Sequence, residues 1–155
     1  MKKILIISAM ADVELNYLIE KLENKEELQT KLCKFYIGEI FNNKIILCDS
    51  KVGLINTSSA ITLAIEKFNP DFIINQGCAG AISKQVHKSD IVIGKDCVNI
   101  TSIKTKYKEE GKGYTLDDWE LINFIAGEED RLIPQNGSEE LIEKIKKIEN
   151  KYQYG

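Results

Sequence analysis

The sequence predicts an α/β fold in which helices cover both faces of a sheet, and three observations carry that expectation. Short continuous apolar runs at residues 3–8 and 71–75 suit strands buried on both faces. Amphipathic stretches of helical period stand between and after them, from Asp12, from Asn56 or Thr57, and from Ser138. The apolar runs also end in small residues, as expected where ligands gather beyond the carboxyl ends of strands.

Lys3 to Ser8 reads as the first buried strand. From Asp12 the spacing of Val13, Tyr17, Leu18 and Leu22 predicts an amphipathic helix, which charged Glu23 to Glu27 should end in a solvated turn. Two strands follow, Leu32 to Phe41 and Lys44 to Asp49, joined by Asn42-Asn43, whose side chains tolerate the positive φ of a two-residue hairpin. Gly53 breaks the chain, and Asn56 or Thr57 caps a helix running to about Lys67. Its face of Ala60, Ile61, Ala64, Ile65 and Phe68 should pack on the sheet, and Pro70 stops it. Asp71 to Asn75 is the next buried strand, leading into Gly77-Cys78-Ala79-Gly80-Ala81. Beyond a polar turn, Asp90 to Gly94 reads as a further strand, and Cys97 to Ile103 extends the β region. A lysine-rich loop should fill residues 104–115, and Leu116 to Ile125 reads as a short helix with Trp119 and Phe124 inward. Asn136-Gly137 marks a turn, and Ser138 caps a last helix with a stripe of Leu141, Ile142, Ile145 and Ile148. The whole reads as one domain over residues 1–155, yet a sheet-covering helix normally feeds another strand, so the sequence looks unfinished.

The 155 residues are 43% apolar and 29% charged, which excludes disordered and collagen-like chains. A formal charge of −3 favours neither nucleic acid nor an anionic membrane as partner. No run approaches the roughly 20 apolar residues of a bilayer span. The N-terminal apolar run is interrupted at Ser8 and followed at once by Asp12 and Glu14, so it reads as a strand rather than a signal peptide. Four cysteines without a Cys-x-x-Cys and a single histidine, His87, argue against zinc; without an export signal they read as reduced thiols of a cytoplasmic protein.

Three strand ends could hold chemistry: Ser8-Ala9-Met10, Lys51-Val52-Gly53 and Gly77-Cys78-Ala79-Gly80. Small residues there let a ligand approach the backbone and leave N–H groups for anionic or hydroxyl oxygens. Neither Gly-x-Gly-x-x-Gly nor Gly-x-x-x-x-Gly-Lys-Ser/Thr is present, so dinucleotide and P-loop readings lack support. Taken alone, each glycine-containing turn is equally an ordinary tight turn, and Glu14 an ordinary first-turn glutamate favoured by the helix dipole.

Taken together, Ile7-Ser8-Ala9-Met10 with an acidic helix start, Val52-Gly53, Pro70-Asp71-Phe72-Ile73-Ile74-Asn75-Gln76-Gly77-Cys78-Ala79-Gly80 and Ser89-Asp90-Ile91-Val92-Ile93 resemble the nucleoside phosphorylase/nucleosidase superfamily. The likeness is greatest to the branch that cleaves methylthioadenosine and S-adenosylhomocysteine, and it covers residues 1 to about 95. It implies a phosphorylase/hydrolase-like mixed sheet flanked by helices, here lacking the C-terminal strands and helix. It implies a purine nucleoside substrate, cleavage of an N-glycosidic bond, and no metal or organic cofactor. Ala9 and Met10 would lie against purine and ribose, Val52 would border the ribose, Gly53 would also belong to the substrate site, and Cys78, Ala79 and Gly80 would lie around the base. Glu14 would orient the attacking water, with Asp12 as the fallback; it stands four residues after Met10 where the family has three, which supposes a one-residue insertion.

Several departures bear on the expectation. Ser8 replaces a common glycine, and Cys78 a serine or threonine. The stretch from Val98 to Lys104 lacks the family's Asp-rich segment, and the C-terminal aspartate and glutamate that serve base and ribose are not found in this chain. Arg131 is the sole arginine, which favours water over phosphate as acceptor. Cys78 reads as a packing residue, since His87 falls in a polar turn. Two readings stay open: a nucleosidase or phosphorylase, and a non-catalytic remnant serving as a binding or oligomerisation module. A sheet edge left open by missing strands invites pairing, so a homodimer or higher oligomer is expected.

Overall fold

The computed structural model describes residues 1–81, 84–97, 103–113, 118–121 and 135–148. The chain divides into two units, Met1–Gln85 and Val86–Gly155.

The first unit is built on a mixed five-stranded sheet in the order β2-β3-β4-β1-β5. Strand β1 (Lys3–Ser8) lies inside it, parallel to both β4 (Asn43–Asp49) and β5 (Phe72–Asn75), with Ser8 opposite Asp49 and Ile7 opposite Asn75. Strand β3 (Lys34–Ile40) returns antiparallel to β4, and β2 (Glu23–Gln29) antiparallel to β3.

Two layers cover the sheet, as alternation of side chains along the strands requires. On one face Leu5, Ile7, Phe35, Ile46 and Cys48 pack with Ala60 and Ala64 of helix α2 (Leu54–Phe68). The Phe35 and Phe68 rings meet edge to face at 5.1 Å. Burial holds the Cys48 thiol well above its usual range, and neighbouring Cys33 adds to the effect. On the other face Ile45 and Leu47 pack with Ala11, Leu15 and Leu22, contributed by a π-helical turn (Ala11–Leu15), helix α1 (Asn16–Lys21) and the residue after it.

Several expectations need correction. Glu23 to Glu27 form no solvated turn: they lie in β2, at one end of the strand order, where charged side chains suit an edge. Lys34 clasps Glu27 at 2.8 Å, and Gly38 lets the β2 backbone close in, since a Cβ there would stand 2.6 Å from the Glu23 carbonyl oxygen. The hairpin turn is Phe41-Asn42, at φ 49° and 60°, rather than Asn42-Asn43; Asn43 is already paired with Ile40. Helix α2 starts at Leu54 behind Gly53, before either predicted cap, and Ile65 of its predicted inner face is 42% exposed. Val13 and Tyr17 are also solvent-facing, at 69% and 70% exposure. The π turn fits an extra residue into the winding, which rotates the apolar face so that Ala11 and Leu15 point inward.

In the second unit, β6 (Asp96–Cys97) pairs antiparallel with β9 (Gln135–Asn136), and β7 (Ile103–Thr105) with β8 (Trp119–Leu121). The strand at Trp119–Leu121 replaces part of the helix predicted over Leu116 to Ile125; Phe124 lies outside the described residues. Asp90 to Gly94 is not a strand: residues 91–94 join no ladder, and Ile91 is 86% exposed. A short apolar run becomes a strand only where a neighbour supplies the ladder. Helix α3 (Glu139–Lys146) is capped by the Ser138 hydroxyl, which accepts from the Leu141 N–H at 3.4 Å. Ile148 of its predicted stripe is 69% exposed.

Candidate active site

Because β1 runs parallel to both neighbours, the three strand ends singled out in the sequence emerge on one side of the sheet. Hydrogen bonds continue the ladders past the strands: the Ser50 N–H donates to the Ser8 carbonyl at 2.9 Å and the Gln76 N–H to the Ile7 carbonyl at 3.0 Å. The Ser50 hydroxyl also donates to the Ser8 carbonyl, at 3.1 Å.

Glu14 connects two of these ends. The chain leaves β1 at Ser8, passes Ala9 and Met10, and winds into the π turn, with the Glu14 N–H donating to the Met10 carbonyl at 2.9 Å. The turn brings the Glu14 carboxylate back over the tip of β1. Its Oε2 accepts from the Ser8 hydroxyl and from the Met10 N–H, the latter at 3.1 Å. Its Oε1 accepts from the Cys78 N–H at 2.9 Å, across from the loop after β5. The Gln76 side chain donates to the Glu14 carbonyl at 2.7 Å, tying the same two segments again. Gly77 completes the fit, because a Cβ there would stand 3.0 Å from Oε1. The Ser8 hydroxyl and the Cys78 N–H hold the Glu14 carboxyl below the usual carboxylate range, with partial burial opposing them and the Met10 and Ala9 N–H groups assisting.

The remaining candidates sit around this carboxylate to different degrees. Met10, 45% exposed, and Cys78, also exposed, bond to it through their backbone. Ala9 is half-buried between Ser8 and Met10, while Ala79 and Gly80 continue the exposed loop. Val52 and Gly53 belong to the third end, after β4, which Ser50 links to β1. Gly53 takes φ 110°, and Lys51 takes φ 68°, a left-handed value a lysine seldom adopts. Asp12, the fallback for Glu14, is exposed.

Sequence reading missed three participants. The Ser8 hydroxyl and the Gln76 amide stood inside motifs read from the sequence but were given no role there. The third is Asp49, a buried carboxylate whose Oδ2 lies 2.5 Å from Lys51 Nζ, while its buried Oδ1 has no partner among the described residues. Among those residues, no cluster of three His, Cys, Asp or Glu side chains could hold a metal ion.

A carboxylate kept ionised at a sheet's carboxyl edge, with backbone donors on both oxygens, can orient water or face a developing positive charge. Residues 3–152 match the phosphorylase superfamily, and the chain belongs to that superfamily. Over 119 residues it is 34% identical to a 5'-methylthioadenosine/S-adenosylhomocysteine nucleosidase of Staphylococcus epidermidis, a match covering 72% of this chain and 52% of that protein. The S-adenosylhomocysteine nucleosidase of Streptococcus pyogenes, solved with 5-methylthiotubericidin, is 26% identical with a TM-score of 0.60, covering 94% of this chain and 55% of that one. A Helicobacter pylori nucleosidase of the same type shares the fold at TM-score 0.73 and 23% identity, covering 95% and 57%. The chain thus spans about half the length of the curated relatives it matches, and its mixed sheet flanked by helices is the sheet of that fold.

Proposed function

We propose that this chain carries the N-terminal part of a purine nucleosidase site and that the protein hydrolyses the N-glycosidic bond of a methylthioadenosine- or S-adenosylhomocysteine-type nucleoside. The single observation that carries the reading is the Glu14 carboxylate, anchored at one oxygen to the end of β1 and at the other to the loop after β5. The activity printed for the relatives supports the same reading.

Breaking the bond leaves an oxocarbenium-like sugar, and water adds to the carbon that the base leaves. In this assignment Glu14 is the catalytic residue. As an anion it accepts a hydrogen bond from the attacking water and stabilises the positive ring; as water adds, its proton passes to the carboxylate. Ala9 and Met10 border purine and ribose, Val52 and Gly53 the ribose, and Cys78, Ala79 and Gly80 the base. The departing purine must gain a proton at its imidazole nitrogen, and none of the groups that bond to Glu14 is an acid of that kind. No cofactor enters this chemistry. No helix among the described residues is long and apolar enough to cross a membrane.

The test is release of free base from methylthioadenosine, S-adenosylhomocysteine, adenosine and inosine, with and without phosphate. Phosphate-independent release from the first two is expected. Release that requires phosphate makes the protein a phosphorylase, and no release from any substrate overturns the reading.

Self-association belongs to the same proposal. Val52, Leu54 and Ile55 are 68%, 67% and 83% exposed around the start of α2, an apolar surface that a second copy would cover. Sedimentation should show a dimer or larger species, and a strictly monomeric chain at micromolar concentration removes this part.

A further inference from the structure

Ser8 is almost wholly buried, at 1% exposure, yet its side chain is polar and occupies the last position of β1. A buried hydroxyl needs partners. Here it donates to Glu14 Oε2 and accepts from the Met10 N–H at 3.3 Å, so it stands within the turn that delivers the glutamate. The same Met10 N–H reaches Glu14 Oε2 at 3.1 Å, closing a small cycle of three groups.

We infer that Ser8 is a positioning residue for the proposed reaction: its hydroxyl clamps one oxygen of Glu14 at the tip of β1 while the Cys78 N–H clamps the other. The inference rests on the functional reading of Glu14 and adds a residue to it. Without Ser8, the carboxylate loses its side-chain donor and keeps only backbone donors, Met10 on Oε2, Cys78 on Oε1 and the weaker assistance of Ala9, so it can swing about its bond to Cys78. A mobile carboxylate meets water in the wrong place more often, and it binds a proton more readily because a donor that favours the anion is gone. Few charges compete for it. Asp12 lies on the same turn and is exposed, Asp49 at the end of β4 is paired with Lys51, and the loop after β5 presents the Cys78 backbone and the neutral Gln76 amide.

The experiment compares the unaltered chain with Ser8→Ala and Ser8→Thr by two readouts. One is titration of the Glu14 carboxyl carbon by NMR on glutamate-labelled protein, which needs no turnover. The other is the pH profile of kcat/KM for base release. Ser8→Ala should raise the Glu14 midpoint and the acid limb together by about one pH unit and lower kcat about tenfold at neutral pH, while KM moves little. Ser8→Thr, which keeps the hydroxyl, should restore both towards the unaltered values. An unmoved Glu14 titration in folded Ser8→Ala overturns the clamp. A moved titration with an unchanged rate profile overturns the positioning role and leaves the nucleosidase reading standing. A moved titration in a chain that turns over no substrate defeats the functional reading and, with it, the role of Ser8 in catalysis, while the clamp itself survives.

Discussion

Replacing Glu14 by Gln should abolish most turnover, lowering kcat by about 10²–10⁴-fold, the range for losing a positioned acid–base group. The change is nearly isosteric, so lost volume does not explain the effect. Two fixed backbone donors, the N–H groups of Met10 and Cys78, approach opposite oxygens of the carboxylate. An amide has one acceptor oxygen, so one backbone donor would face the new NH₂ group. The Ser8 hydroxyl can rotate to accept, whereas a backbone N–H cannot. Circular dichroism should show the sheet retained, and steady-state base release should show the loss. Turnover at the unaltered rate in Glu14→Gln removes Glu14 from the mechanism. The depressed Glu14 midpoint also sets a direction with pH. Its stabilising hydrogen bonds are fully present above the ordinary carboxylate range and are lost as pH falls through the lowered value. Activity that depends on the anion should fail on the acid side, over that same low window.

The second large effect lies in the core. Phe35→Ala should destabilise the chain by about 3–5 kcal/mol, because Phe35 is fully buried and the residues around it cannot collapse into its space. Its ring fills the layer between Leu5, Ile7, Ile46 and helix α2, and meets Phe68 edge to face. Urea unfolding followed by circular dichroism measures this directly; a loss below about 1 kcal/mol would mean that the α2 face is not the packed core described. Val13→Ala should cost under about 0.5 kcal/mol, since Val13 is 69% exposed despite its place in the apolar periodicity.

These two residues show what the sequence could and could not reveal. Apolar runs announce strands, so β1, β4 and β5 were legible, and with them the emergence of the three small-residue ends on one side of the sheet. But β5 ends the strand order with Ile73 41% exposed, so it is not the strand buried on both faces that its run suggested. Strand β2 was not, because its stability comes from pairing with β3 and from charges such as Glu27 on Lys34, and its own composition reads as solvated turn. Asp90 to Gly94 erred in the opposite sense: the right composition without a ladder to join. At the site, the spacing of Met10 and Glu14 suggested an inserted residue, but its accommodation could not be read from periodicity. A regular helix from Asp12 would have buried Val13 and Tyr17; the π turn buries Leu15 and sends Glu14 back to Ser8. Ser8 and Lys51 stood in motifs read from the sequence, but the bond of the Ser8 hydroxyl to Glu14 and the pairing of Lys51 with Asp49 come only with folding.

The wide turn after β1 has a bearing on how kindred chains should be compared. The turn winds Ala11–Leu15 as a π-helix, so the acid returns to the tip of β1, where Ser8 and the Met10 N–H meet it. A count of positions from the methionine does not tell where this carboxylate arrives. Kinship at such a spot is better traced through the donors that grip the side chain than through the number of residues before it.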